Sequence, residues 1–170
     1  MYRASAIKFG SLYVIREIYV TLHFYIERKM AQTLQEAEQQ IIEEFEIFDD
    51  WLDKYNYIIE LGKELPLIDE QYKTEQYLIS GCQSQVWLHA DYRDGLIYFT
   101  ADSDAIITKG IINLLIRVLS GRTPQEILDC NLEYIDQIGL KEHLSPTRSN
   151  GLVSMIKQIK IYALAFSQKS

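Results

Sequence analysis

The chain has 170 residues, 48% of them hydrophobic, with 24 acidic against 17 basic side chains and a formal charge of -7. That length buries one sizeable core but is short for two domains, and the acidic balance argues against a nucleic-acid surface, which needs clustered Lys and Arg. Two cysteines and three histidines are too few for a Cys-rich zinc or iron–sulfur site within the chain; two lone thiols also make no disulfide framework, which points to a reducing, cytoplasmic setting.

Residues 1–29 differ in kind from the rest of the chain. They are aromatic and aliphatic, and they carry Arg3, Lys8, Arg16, Arg28 and Lys29 against Glu17 and Glu27. A membrane span needs roughly 20 uninterrupted apolar residues, and Arg16-Glu17 breaks the run. A cleaved signal lacks its small-residue site. Two readings stay open: an arm that docks on the domain or an interface, or upstream sequence ahead of a start at Met30. Either way the domain is expected over 30–170.

From Thr33 the pattern is helical, with Ala37, Ile41, Phe45 and Phe48 three or four apart among glutamates. A second helix runs from Trp51 to Leu61, where Gly62 is placed to end it, and Leu65-Pro66-Leu67 breaks the pattern. Tyr77-Leu78-Ile79 reads as a short strand stopped by Gly81. Val86 to Tyr92 and Leu96 to Ala101 read as a hairpin around Arg93-Asp94-Gly95.

Asp102-Ser103-Asp104 offers short oxygen-bearing side chains to cap the next helix, which carries Ile107, Ile111, Leu114 or Leu115, and Val118 on one side and ends at Gly121. Thr123-Pro124-Gln125-Glu126 restarts a helix with a capping box and proline at its first position. The last helix opens at Ser145-Pro146 and lines up Leu152, Ile156, Ile159, Ala163 and Phe166. Helices, a small antiparallel sheet, then helices make an α+β domain.

Within this order, Cys82 stands out. A buried cysteine is ordinarily a small hydrophobe, but Gly81 on one side and Gln83-Ser84-Gln85 on the other describe a loop, and loops meet reagents. Cys130 ends a helical piece and reads as packing. A thiol hydrolase would need an activating histidine; outside 1–29 only His89 and His143 remain, neither in a recognisable signature. Thiol–disulfide-type sulfur exchange needs less: an accessible thiol with thiolate character. A neighbouring resolving cysteine would expel the sulfur, so solitude suits a carrier.

The segments 80–87 (SGCQSQVW), 102–110 (DSDAIITKG), 120–128 (SGRTPQEIL) and 143–152 (HLSPTRSNGL), in that order, resemble the SufE family. The similarity spans 34–166, including WLDKYNYIIELGKELP, and leaves 1–29 uncovered. The resemblance implies an α+β domain like that of the IscU scaffold, with its reactive cysteine on a loop tip beside the sheet.

It implies an accessory sulfur acceptor rather than a stand-alone enzyme: a protein that docks on a SufS-type cysteine desulfurase, stimulates it, takes its persulfide sulfur onto Cys82 and passes it to the SufBCD scaffold. The chain itself would need no cofactor beyond the transient persulfide and no metal, since pyridoxal phosphate belongs to the desulfurase. Gly81, Gln83, Ser84 and Gln85 would support the loop or touch a partner, Asp104 would tie the helix junction, and Arg148 would face a partner or an internal carboxylate. A monomer or a homodimer is compatible with this reading. The alternative, an IscU-like scaffold holding a nascent cluster, has a single loop thiol against it.

Overall fold

The structure, a computed structural model, describes residues 32–168; the reading of 1–29 as an arm or upstream extension lies outside the described residues. Helix α1 (Leu34–Glu46) buries Leu34, Ala37, Ile41 and Phe45. Helix α2 (Trp51–Leu61) starts where the Asp50 side chain accepts from the Asp53 amide at 2.9 Å, supplying one of the bonds a helix N-terminus lacks. It ends at Gly62 as expected, although not through a left-handed cap: Gly62 has φ -62 and continues as a 3-10 turn to Glu64. The glycine serves a crossing instead. A Cβ at Gly62 would lie 2.9 Å from the Ile106 carbonyl oxygen, and one at Gly110 would lie 1.9 Å from that of Ile58, so the two backbones touch only because both residues lack side chains.

The expected strand at Tyr77-Leu78-Ile79 is reduced to a single bridge between Leu78 and Trp87. A 3-10 turn over Glu75–Tyr77 precedes it and Gly81, at φ 90, turns the chain away after it. The sheet therefore has two strands, β1 (Val86–Arg93) and β2 (Leu96–Ser103), paired antiparallel from Val86 with Ser103 to Arg93 with Leu96. Asp94 and Gly95 both have positive φ, the two-residue turn whose twist matches its strands. Val86, Leu88, Ala90, Ile97, Phe99 and Ala101 are buried on one face.

Against that core lies α3 (Ile106–Leu119), buried on nearly all sides, with α4 (Pro124–Asp129), whose Thr123/Glu126 capping box forms as expected, and two single turns, α5 (Tyr134–Gln137) and α6 (Leu140–His143). Helix α7 (Pro146–Ser167) buries Leu152, Met155, Ile159 and Ala163. A bidentate pair ties α1 to α3: Arg117 donates to both Glu44 oxygens at 2.6 and 2.7 Å, and Tyr57 donates to the same carboxylate at 2.8 Å. Burial alone would raise the Glu44 pKa, but the guanidinium and the phenol hold it below the usual carboxylate range. The domain is α+β, a small antiparallel hairpin flanked by helices.

Candidate functional site

The loop between the Leu78 bridge and β1 rests in a cleft between the first turns of α3 and α7. At its entry Gly81 holds φ 90, where a Cβ would come 2.7 Å from Ser154 Oγ, so this turn requires glycine. Its exit is clamped. The Gln85 amide donates to Asp104 Oδ1 at 3.0 Å, while its carbonyl accepts from Ser103 Oγ at 2.7 Å and from the Asp104 amide at 3.3 Å.

The expectation that Asp102-Ser103-Asp104 caps α3 is thereby corrected: the N-cap is Ala105, with no side-chain cap bond. All three residues find other partners. Ser103 belongs to β2 and braces both Gln85 and the Ala105 amide, and Asp104 ties the cysteine loop. Asp102, nearly buried, pairs with Lys73 and Lys109, each at 2.7 Å, and accepts from the Ser103 amide. Desolvation pushes its pKa up, but the two ammonium groups outweigh this and keep it below the usual range.

Between the glycine and the clamp, contacts are long. The Cys82 thiol reaches the Gly151 carbonyl at 3.7 Å, the Gln83 carboxamide oxygen accepts from Thr147 at 3.2 Å, and Ser84 accepts from Thr108 at 3.4 Å. Beneath the thiol is a cavity of about 220 Å³, walled by Ile107 and Ile111 of α3 and by Met155 and Arg148 of α7. Cys82 is half-buried and packs against the core, and that burial pushes its thiol pKa up. Arg148 is exposed and, among the described residues, has no hydrogen bond or ion pair, so no internal carboxylate claims it.

Cys130 sits elsewhere, as the residue capping the end of α4 and only 6% exposed. Its thiol faces Glu38 at 3.5 Å, Lys160 holds its carbonyl at 3.0 Å, and burial with the nearby carboxylate pushes its pKa up to about 11. Among the described residues, neither His89 nor His143 lines the Cys82 cavity. His89 stacks on Tyr72 with centroids 4.0 Å apart, and His143 stacks on Trp51 at the same separation. Among the described residues no three His, Cys, Asp or Glu side chains group to hold a metal ion.

Sequence reasoning passed over Thr108, Thr147 and Gly151. The last had a signal: a glycine inside a helix costs about 1 kcal/mol relative to alanine, and here Cys82 packs on the helix backbone, its Sγ at ordinary van der Waals distance, 3.6 Å, from where a Cβ would stand.

Residues 39–163 match the family model of SufE, the Fe-S metabolism associated domain. The chain is 45% identical over 126 residues to an uncharacterized SufE-like protein of Rhizobium meliloti (strain 1021), covering 71% of this chain and 90% of that protein. SufE-like protein 1 of Arabidopsis thaliana, described as chloroplastic/mitochondrial, is 37% identical over 132 residues, covering 77% of this chain and 36% of its own. A solution structure of a hypothetical protein from Thermus thermophilus shares the fold, with a TM-score of 0.64 at 21% identity over 76% of this chain and 94% of that one.

Proposed function

Because this chain belongs to the SufE family, whose domain is associated with Fe–S metabolism, we propose that it is the sulfur acceptor and carrier of an iron–sulfur assembly system, with Cys82 as the residue that holds the sulfur. The donor is a SufS-type cysteine desulfurase, which the carrier stimulates by unloading it, and the receiver is the SufBCD scaffold. Pyridoxal phosphate stays with the desulfurase.

The chemistry needs little from the carrier beyond the thiol. Cys82 thiolate attacks the outer sulfur of the desulfurase persulfide; a new S–S bond forms, the old one breaks, and its electron pair leaves on the desulfurase thiolate. There is no net oxidation, and the persulfide has moved. Passing the sulfur onward repeats the step with Cys82 as the leaving group.

The observation that carries this reading is the loop. Its thiol packs against the core with one polar contact, at 3.7 Å, with a glycine at φ 90 before it and a three-bond clamp after it. Such a segment swings from Gly81 without disturbing β1. Inside the cleft burial pushes the thiol pKa up and disfavours the thiolate; outside it, the desolvation penalty is gone and thiolate forms more readily. Docking thus shields the sulfur, and release arms it. Gln83, Ser84 and Arg148 line the same cavity and would steady the loop or greet the partner.

We place the protein in the cytoplasm or an equivalent reducing compartment. Among the described residues no helix is long and apolar enough to cross a membrane. The test is mass spectrometry after incubation with cysteine and a desulfurase: a gain of about 32 Da, one sulfur, on the peptide containing Cys82 is expected. A loaded desulfurase that leaves this peptide unmodified would overturn the assignment.

A further inference from the structure

The outer side of α7 carries Val153, Lys157, Ile161 and Leu164, spaced four, four and three residues apart, which places them along one stripe about 16 Å long. All face solvent, Val153 at 61%, Ile161 at 46% and Leu164 at 52% exposure. The opposite side of the same helix is sunk in the core. A surface helix that is apolar on both sides departs from the usual single stripe.

Charge sets it apart as well. Helix α7 contains no acidic residue in a chain where acids outnumber bases 24 to 17. Its exposed cations, Arg148 and Lys157, are without a hydrogen bond or ion pair among the described residues. The stripe also runs beside the active loop, since Ser154, next to Val153, is the residue against which Gly81 packs.

We propose that this stripe is the docking surface for the sulfur donor: a protein presenting an apolar groove with an acidic rim, seated along α7 so that it reaches the Cys82 loop from the Gly81 side. The proposal rests on the carrier reading and names the surface that the donor uses. A second copy of this chain fits less well, because antiparallel pairing of two α7 stripes would set each Lys157 against Ile161 of the other copy, with no acid on either helix to receive the ammonium. An anionic lipid surface suits an amphipathic helix rich in Lys and Arg, but this stripe carries a single cation, Lys157.

The test compares the full chain with Val153→Asp/Ile161→Asp and with Lys157→Glu as partners of a pyridoxal-phosphate cysteine desulfurase. The concentration giving half-maximal stimulation should rise about tenfold or more for the double variant and a few-fold for the charge reversal. Loading of Cys82 by inorganic polysulfide, which needs no docking, should keep its wild-type rate and show that each variant is folded. Unchanged half-maximal concentrations, with the wild type still taking sulfur, would overturn this surface and leave the carrier reading intact. A wild type that takes no sulfur from the desulfurase would overturn both. Wild-type dimerisation lost in the variants would assign the stripe to a second copy, and co-sedimentation with phosphatidylglycerol vesicles would assign it to a membrane; either result overturns the donor.

Discussion

Cys82 and Cys130 are both withdrawn from water, and burial pushes both thiols up, yet their surroundings differ in what holds them there. Cys130 is fixed by its place in the chain: its amide closes the last turn of α4 on Glu126 and its carbonyl is bound by Lys160. Moving it would unmake a helix end. Cys82 belongs to no helix or strand, and beside its apolar packing against the core its thiol makes a single polar contact, at 3.7 Å. Rest-state burial therefore says little about which thiol reacts; the cost of leaving the buried position decides it. Charge sharpens the contrast, since Cys130 faces the Glu38 carboxylate and Cys82 shares its cavity with the Arg148 guanidinium.

The largest effect expected from this contrast is a matched pair of substitutions. Cys82→Ser should abolish sulfur uptake from the desulfurase while leaving the thermal midpoint within a degree or two of wild type, because an oxygen for a half-buried sulfur changes little volume. Cys130→Ser should keep full uptake and lose about 1 kcal/mol or more of stability, since it places a hydroxyl where the pocket is buried and already polarised. Equal behaviour of the two variants in mass spectrometry and calorimetry would erase the distinction.

Much of the frame around this contrast was legible from residue order. The apolar spacing of Ala37, Ile41 and Phe45, the Asp94-Gly95 turn and the Thr123/Glu126 capping box are local patterns, and the local physics that makes them also reads them. What was not legible is tertiary. Asp104 has the chemistry of a helix cap and sits where one belongs, but its carboxylate binds the Gln85 amide, a competitor nineteen residues away that enters only when the loop folds back. The placement of Arg148 on the wall of the Cys82 cavity depends on the rotation of α7 against that loop, which no spacing within α7 reveals. Leu132 holds φ 56, a conformation that its side chain gave no reason to expect.

A smaller effect tests the freedom of the Cys82 loop. Gly81→Ala puts a side chain at φ 90, where a Cβ would crowd the Ser154 hydroxyl. Left-handed backbone costs an L-residue about 1–2 kcal/mol. Because the Gln85 clamp keeps β1 in register, that cost falls on the docked loop rather than on the core. Alkylation of Cys82 by iodoacetamide should accelerate, by about 5- to 30-fold for a shift of this size, with little change in global unfolding. A slower reaction would mean that the docked loop is the reactive one.

The smallest effect is alkaline. The Cys130 thiol has its pKa raised from 9.0 to about 11, so the folded state holds this proton more tightly than the unfolded state does. Its contribution to stability is complete below pH 9 and is lost as the pH climbs through 11. The difference in thermal midpoint between wild type and Cys130→Ala should therefore narrow across that interval, and Tyr134, whose phenol burial pushes well up and the Cys130 charge raises further, acts in the same direction. Cys82 is also raised by burial, but its loop can leave the cleft, so deprotonation releases the loop rather than straining the fold. Cys82→Ala should accordingly match the wild-type alkaline profile. A profile altered as much by Cys82→Ala as by Cys130→Ala would mean that the loop is as firmly built into the domain as the helix end, and a carrier thiol so placed would have no way out.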